Sequence, residues 1–121
     1  MKRVLVVDDD RSTTEALALL LVSDSFDVVT LSSSTTAAER LRRERFDAVI
    51  TDLEMPEVHG IELVRLARTT WPDMPVLLVT AYAGSPACQK ALALGARLIR
   101  KPVEYGVLLM TLRAALEPCG S

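Results

Sequence analysis

Cysteine, histidine, aromatic residues and surplus positive charge are all scarce in this chain, and each scarcity closes off a class of function. The 121 residues include two cysteines, Cys88 and Cys119, and one histidine, His59. These cannot complete a zinc site at metal-ligand spacing, so the cysteines read as reduced thiols of a cytosolic protein. Aromatic side chains make up 4% of the sequence, too few for an aromatic-rich binding platform. The formal charge is −2 and the pI is near 5.4. With no basic footprint, neither nucleic acid nor an anionic membrane surface is an expected partner of the domain. No apolar run approaches the ~20 residues needed to cross a bilayer. The opening MKRVLVVDDD falls far short of a signal-peptide core. A soluble, cytoplasmic protein is the expectation.

What is present points to one domain. Half of the residues are apolar, mostly Val, Leu and Ala, and a chain of this length can bury a core without disulfides or a structural metal. Five short apolar runs have strand length: VLVV at 4–7, FDVVTL at 26–31, DAVIT at 47–51, VLLVT at 76–80 and RLIR at 97–100. Segments with helical spacing lie between them. STTEALALLLVS places Ala16, Leu17, Leu20 and Leu21 on one stripe behind a Ser/Thr start. STTAAERLRRERF turns Ala37, Ala38 and Leu41 inward, and GIELVRLARTTW does so with Ile61, Val64 and Ala67. Pro86 suits the first position of a fourth helix that Gly95 closes. The last, EYGVLLMTLRAALE, is weakened by Gly106 but keeps a stripe through Leu108, Leu109, Leu112 and Leu116. Strand and helix alternate five times, which predicts an α/β fold with a parallel sheet covered on both faces. Residues 1–117 form the expected domain, and PCGS at 118–121 reads as a tail or the start of a linker, with a longer parent protein or an engineered boundary as the expectation.

In such a sheet, ligands gather beyond the carboxyl ends of the strands. The first strand runs into Asp8, Asp9 and Asp10, the third into Thr51 and Asp52, the fourth into Thr80, and the fifth into Arg100, Lys101 and Pro102. Carboxylates meeting within ~5 Å repel by roughly 3 kcal/mol per pair at an effective dielectric of 20. A divalent cation offsets that repulsion, and Mg²⁺ is commonly held by one or two carboxylates together with a phosphate oxygen. Asp9 and Asp52 are suited to direct ligation, with Asp8 acting through water. A carboxylate can also attack phosphorus to form an acyl phosphate. The charge spreading over the phosphoryl group would then be met by Mg²⁺, the Lys101 ammonium and the Thr80 hydroxyl. The Lys101-Pro102 bond is expected to be cis, a form that holds a tight turn.

The segments VLVVDDD, VITDLEMPEVHG, LLVTAYA and LIRKP, in this order and at these separations, resemble the receiver domain of two-component response regulators. The resemblance runs from Lys2 to Leu116. It implies a five-stranded, doubly wound, flavodoxin-like fold with strand order 2-1-3-4-5. It implies Asp52 as the phospho-acceptor, and Mg²⁺ on Asp9, Asp52 and the backbone carbonyl of Glu54, with Asp8 in the outer shell. Gly60 matches the glycine of the loop after the phosphorylated strand. The implied donor is a sensor histidine kinase or phosphotransfer protein, and small donors such as acetyl phosphate are also implied. The implied output is a change in the surface of the fourth helix, fifth strand and fifth helix, read by a downstream protein or a fused output domain. A phosphorylation-dependent homodimer is compatible with that surface. The switch would have Thr80 move toward the phosphate while an aromatic residue on the fifth strand turns inward. This chain departs there, with Leu98 three residues before Lys101; Tyr82 is the nearby aromatic that could substitute. Val103 stands where the family often carries a bulkier side chain.

Several features have plainer readings. Asp10 is best read as a helix cap, His59 as solvated loop, and Met55 and Pro56 as loop packing. Arg40, Arg42, Arg43 and Arg45 are interleaved with Glu39 and Glu44, as on a solvated helix face. Two other functions remain beside the phospho-switch. An interaction-only receiver, folded alike but never phosphorylated, is favoured by Leu98 alone. A phosphohydrolase with an aspartyl nucleophile would have only Glu54 as its general acid and no insertion to hold a substrate. The chain is therefore expected to be no enzyme beyond assisting its own phosphorylation and dephosphorylation.

Overall fold

The computed structural model describes residues 1–117, so Cys119 and the PCGS tail lie outside the described residues. Five strands and five helices alternate: β1 Arg3–Val7, α1 Arg11–Ser23, β2 Asp27–Leu31, α2 Ser34–Arg43, β3 Ala48–Asp52, α3 Gly60–Thr70, β4 Val76–Thr80, α4 Pro86–Ala93, β5 Arg97–Arg100 and α5 Tyr105–Leu116. The strands form one parallel sheet in the order β2-β1-β3-β4-β5. β3 and β4, in the middle, are buried at every position, which is why both read as unbroken apolar runs.

The sheet separates two apolar layers. On one face, Val4, Val6, Ile50, Leu77, Val79 and Ile99 pack with Leu21 of α1 and with Leu108 and Leu112 of α5. On the other, Leu5, Val7, Val49 and Leu78 pack with Ala37 and Leu41 of α2, Leu63 and Val64 of α3, and Cys88 and Ala91 of α4. Polar caps start three helices. The side chains of Asp10, Ser33 and Ser85 accept backbone N–H groups of Ser12, Thr36 and Cys88 at 3.0, 3.3 and 3.1 Å, contacts worth about 1 kcal/mol each. Pro86 opens α4, and Gly95 follows it with φ +98°, a left-handed conformation that favours glycine.

The boundaries and one helix face differ from the expectation. In α1 the buried positions are Thr14 and Leu21, with Leu17 and Ala18 half-buried, while Ala16 and Leu20 are exposed. The segment ALALLLV is apolar around its whole circumference, so periodicity cannot select which side faces the sheet. α2 stops at Arg43, and Glu44 takes extended backbone. Phe46, expected at the helix end, instead plugs the core from the following turn. Phe26 likewise precedes β2 rather than belonging to it.

Candidate functional site

Three strand ends and two loops converge at the carboxyl edge of the central strands. Asp8 follows β1, and Asp52 ends β3. Both are buried, while Asp9 is exposed. One carboxylate oxygen from each of Asp8, Asp9 and Asp52 lies within 4.8 Å of the others. The Lys101 ammonium donates to Asp52 Oδ2 at 3.0 Å. Asp52 Oδ1, also buried, finds no hydrogen-bond partner among the described residues. A buried carboxylate oxygen without a donor carries a full desolvation cost. Beside two further carboxylates, it is a natural ligand for a hard divalent cation.

The electrostatics carry the mark of that crowding. The Asp8 carboxyl is pushed up from 3.8 to about 6, chiefly by burial, with the charges of Asp52 and the contact with Asp9 adding to it. The Asp10 N–H, donating to Asp8 Oδ1 at 2.9 Å, pulls the other way. For the Lys101 ammonium, burial alone would lower the pKa. The hydrogen bond to Asp52 and the charges of Asp52, Asp8 and Glu54 outweigh it, and the net shift is upward.

The loop between β3 and α3 is fixed at several points. Gly60 N–H donates to the Leu53 carbonyl at 3.0 Å. A Cβ at Gly60 would lie 2.3 Å from the Asp52 carbonyl oxygen and 2.7 Å from Leu53 Cα, so only glycine fits there. Ser34, buried at the start of α2, donates to the Pro56 carbonyl at 2.8 Å and accepts the Val58 N–H at 3.0 Å. No signal in the sequence marks Ser34, because its role depends on a loop more than twenty residues away.

Thr80 lies at the end of β4, fully buried. Its hydroxyl donates to the Glu54 carboxylate, at 2.8 Å to Oε2 and 3.1 Å to Oε1, and accepts the Tyr82 N–H at 2.9 Å. The Glu54 side chain thus engages Thr80, a contact separate from the backbone carbonyl that the resemblance assigns to the metal. Tyr82 itself points outward at 65% exposure. Leu98 is half-buried against the layer that includes Leu78 and Cys88. The Lys101-Pro102 bond is cis. Asp10 caps α1, and Met55 packs in the core. His59 is exposed at the start of α3, and Arg40 pairs with Glu44 at 2.8 Å.

The family model for the response regulator receiver domain matches residues 4–113. The chain belongs to this family. Response regulator protein FleR of Pseudomonas aeruginosa is 40% identical over 108 residues, covering 88% of this receiver and 23% of FleR. Transcriptional regulatory protein GlrR of Escherichia coli is 36% identical over 115 residues, covering 94% of the receiver and 26% of GlrR. The receiver thus spans about a quarter of the length of these relatives. Among solved structures, a CheY-like receiver domain protein from Methanospirillum hungatei superposes with a TM-score of 0.90 at 28% identity, covering 96% of this chain and 94% of that one. The beryllofluoride-activated NtrC4 receiver domain dimer gives 0.86 at 28% identity, covering 96% and 97%. This is a receiver of two-component signalling, with its acidic site at Asp8, Asp9 and Asp52.

Proposed function

We propose that Asp52 accepts a phosphoryl group from a phosphohistidine on a sensor histidine kinase or phosphotransfer protein. The observation that carries this reading is the Asp52 side chain itself. It is buried at a sheet edge, with one oxygen held by Lys101 and the other unpartnered beside Asp8 and Asp9. Asp9, Asp52 and the Glu54 carbonyl would hold Mg²⁺, with Asp8 in its outer shell. The bound ion would neutralise charge on the transferring phosphoryl oxygens.

In the transfer, an Asp52 carboxylate oxygen bonds to phosphorus as the P–N bond to the donor imidazole breaks. The imidazole keeps the bonding electron pair and takes up a proton. Lys101 meets the growing negative charge from the fifth strand. Thr80 supplies a hydroxyl to a phosphoryl oxygen once it leaves its resting contacts. With Leu98 in place of an aromatic residue, the signal would pass through Thr80 and the α4–β5–α5 surface without the family's aromatic rotamer. Tyr82 is the side chain best placed to contribute, and Pro102 holds the turn that presents Lys101.

The reader of that surface would be a downstream protein or a fused output domain, as the lengths of FleR and GlrR suggest, and the setting would be the cytoplasm. The NtrC4 receiver is described as a dimer when activated, which supports a phosphorylation-dependent homodimer here. Direct contact with nucleic acid is not part of the reading, nor is turnover of a substrate. The interaction-only alternative leaves the Asp52–Lys101 pair and the unpartnered Oδ1 without a purpose.

The test is an intact-mass measurement after incubation with acetyl phosphate, with Mg²⁺ or with EDTA, on wild type and Asp52→Ala. One added phosphoryl group that requires both Mg²⁺ and Asp52 is expected. A folded wild type that gains nothing from small donors or from a kinase extract would favour the interaction-only reading.

A further inference from the structure

We propose that the Glu54 side chain is a latch that holds the Thr80 hydroxyl in the resting position and so sets the cost of switching. The inference rests on the phospho-acceptor reading of Asp52 and concerns its regulation.

The register places the Asp52 and Thr80 side chains on opposite faces of the sheet. Asp52 pairs with Val79, so its side chain leaves the sheet on the α1 and α5 face, where Val79 packs. Thr80 comes one residue later, pairs with Arg100, and points to the opposite face, on the side of α4. There the Glu54 carboxylate reaches over from the β3–α3 loop and accepts the hydrogen bond of the hydroxyl, with Oε2 and Oε1 at 2.8 and 3.1 Å. The Tyr82 N–H occupies the hydroxyl oxygen from behind at 2.9 Å.

A threonine hydroxyl has one proton to donate. It cannot serve Glu54 and a phosphoryl oxygen together, so the phosphoryl group must win the hydroxyl from a charged acceptor that already has it. Hydrogen bonds to charged groups are the stronger class. A ligand shifts a two-state element only by the difference between its contacts in the two states. The Glu54 contact, present only at rest, therefore subtracts from what the phosphoryl group gains by recruiting Thr80. Glu54 is exposed and makes no other side-chain hydrogen bond among the described residues, so its removal should release Thr80 with little disturbance of the fold. It is a positioning residue acting through Thr80, distinct from the role of its backbone carbonyl.

Two readouts test this on the full chain. The first needs no activation: three-bond couplings to the Thr80 methyl report its χ1 rotamer by NMR. Wild type and Glu54→Gln, which keeps an acceptor, should show one rotamer, and Glu54→Leu should show averaging. The second is the affinity for beryllofluoride in the presence of Mg²⁺. Glu54→Leu should bind roughly three- to tenfold more tightly than wild type, the size of an ordinary hydrogen bond, because solvent screens the exposed Glu54 charge. In a Thr80→Ala background the same substitution should bring no gain, as a double-mutant cycle requires of an effect passing through Thr80. An unchanged Thr80 rotamer in Glu54→Leu would overturn the latch. So would an equal gain in affinity with and without the hydroxyl, which would show the Glu54 charge acting directly on the anion. Failure of the phospho-acceptor reading looks different: a folded wild type and all variants would then bind no beryllofluoride at all.

Discussion

At the scale of single residues, the site is a problem of charge density. Asp8 is the residue that bears it. Its folded-state pKa of about 6 exceeds the ordinary 3.8, so the folded protein holds that proton more tightly than the unfolded chain does. The ionised carboxylate then costs stability above pH 6, and the cost fades as pH falls toward 4. In EDTA at pH 7.5, Asp8→Asn should be more stable than wild type by about 1–2 kcal/mol once solvent screening at the rim is allowed for. Urea unfolding at a series of pH values checks this, and the gap should narrow on acidification. Added Mg²⁺ should stabilise wild type more than the variant, since a ligand of the native state stabilises by mass action. Lys101→Ala takes the ammonium from Asp52 Oδ2; phosphorylation by acetyl phosphate, followed by mass over time, should slow by about a hundredfold. That Asp8, Asp9, Asp52, Thr80 and Lys101 lie at one edge was legible, because strand ends in a parallel sheet share that edge. The partners of Thr80 were not, since which acceptor a hydroxyl finds depends on where a loop folds.

At the scale of elements, the pieces that hold the site are a close approach and a helix-to-helix tie. Gly60 lets the start of α3 rest on the end of β3. Gly60→Ala would force a carbon into the Asp52 and Leu53 backbone, and a loss of at least about 2 kcal/mol is expected, with Mg²⁺ affinity falling as the loop moves. Denaturant unfolding and a Mg²⁺ titration measure the two effects. Across the other face, the Tyr105 hydroxyl donates to Asp24 Oδ2 at 2.7 Å and lies 3.0 Å from the Leu20 carbonyl, joining α5 to α1. Burial and the Asp24 carboxylate push the Tyr105 phenol up to about 12. The contact's stabilisation is thus complete below pH 10 and lost as pH climbs from there through about 12. Tyr105→Phe should cost about 1 kcal/mol at neutral pH, read from the thermal midpoint. The element order was legible because each strand run is short, apolar and bounded by turn residues. The face of α1 was not, because a helix apolar on all sides leaves the choice to its neighbours: the sheet took Leu21 and Thr14 and left Leu19 and Val22 in solvent.

At the scale of the whole molecule, two apolar layers clamp a parallel sheet whose central strands end in the acidic site. The proposed switch surface lies at one sheet edge, where β5 carries Leu98 and the adjoining turn carries Lys101 and Pro102. Under the proposed function, this arrangement would carry a modification at Asp52 to α4, β5 and α5. Thr80 and Lys101 stand between the acceptor and that surface, and the Lys101 N–H is itself bonded to the Thr80 carbonyl at 3.0 Å. Asp52 is proposed to carry the phosphoryl group as an acyl phosphate. Borohydride reduces an acyl phosphate to an alcohol, so phosphorylated protein treated with it and then digested should show Asp52 converted to homoserine in the peptide spanning β3. The conversion should depend on Mg²⁺ and on the phosphoryl donor. Reduction at Asp8 or Asp9 instead, or none in a protein shown to be folded, would contradict Asp52 as the acceptor.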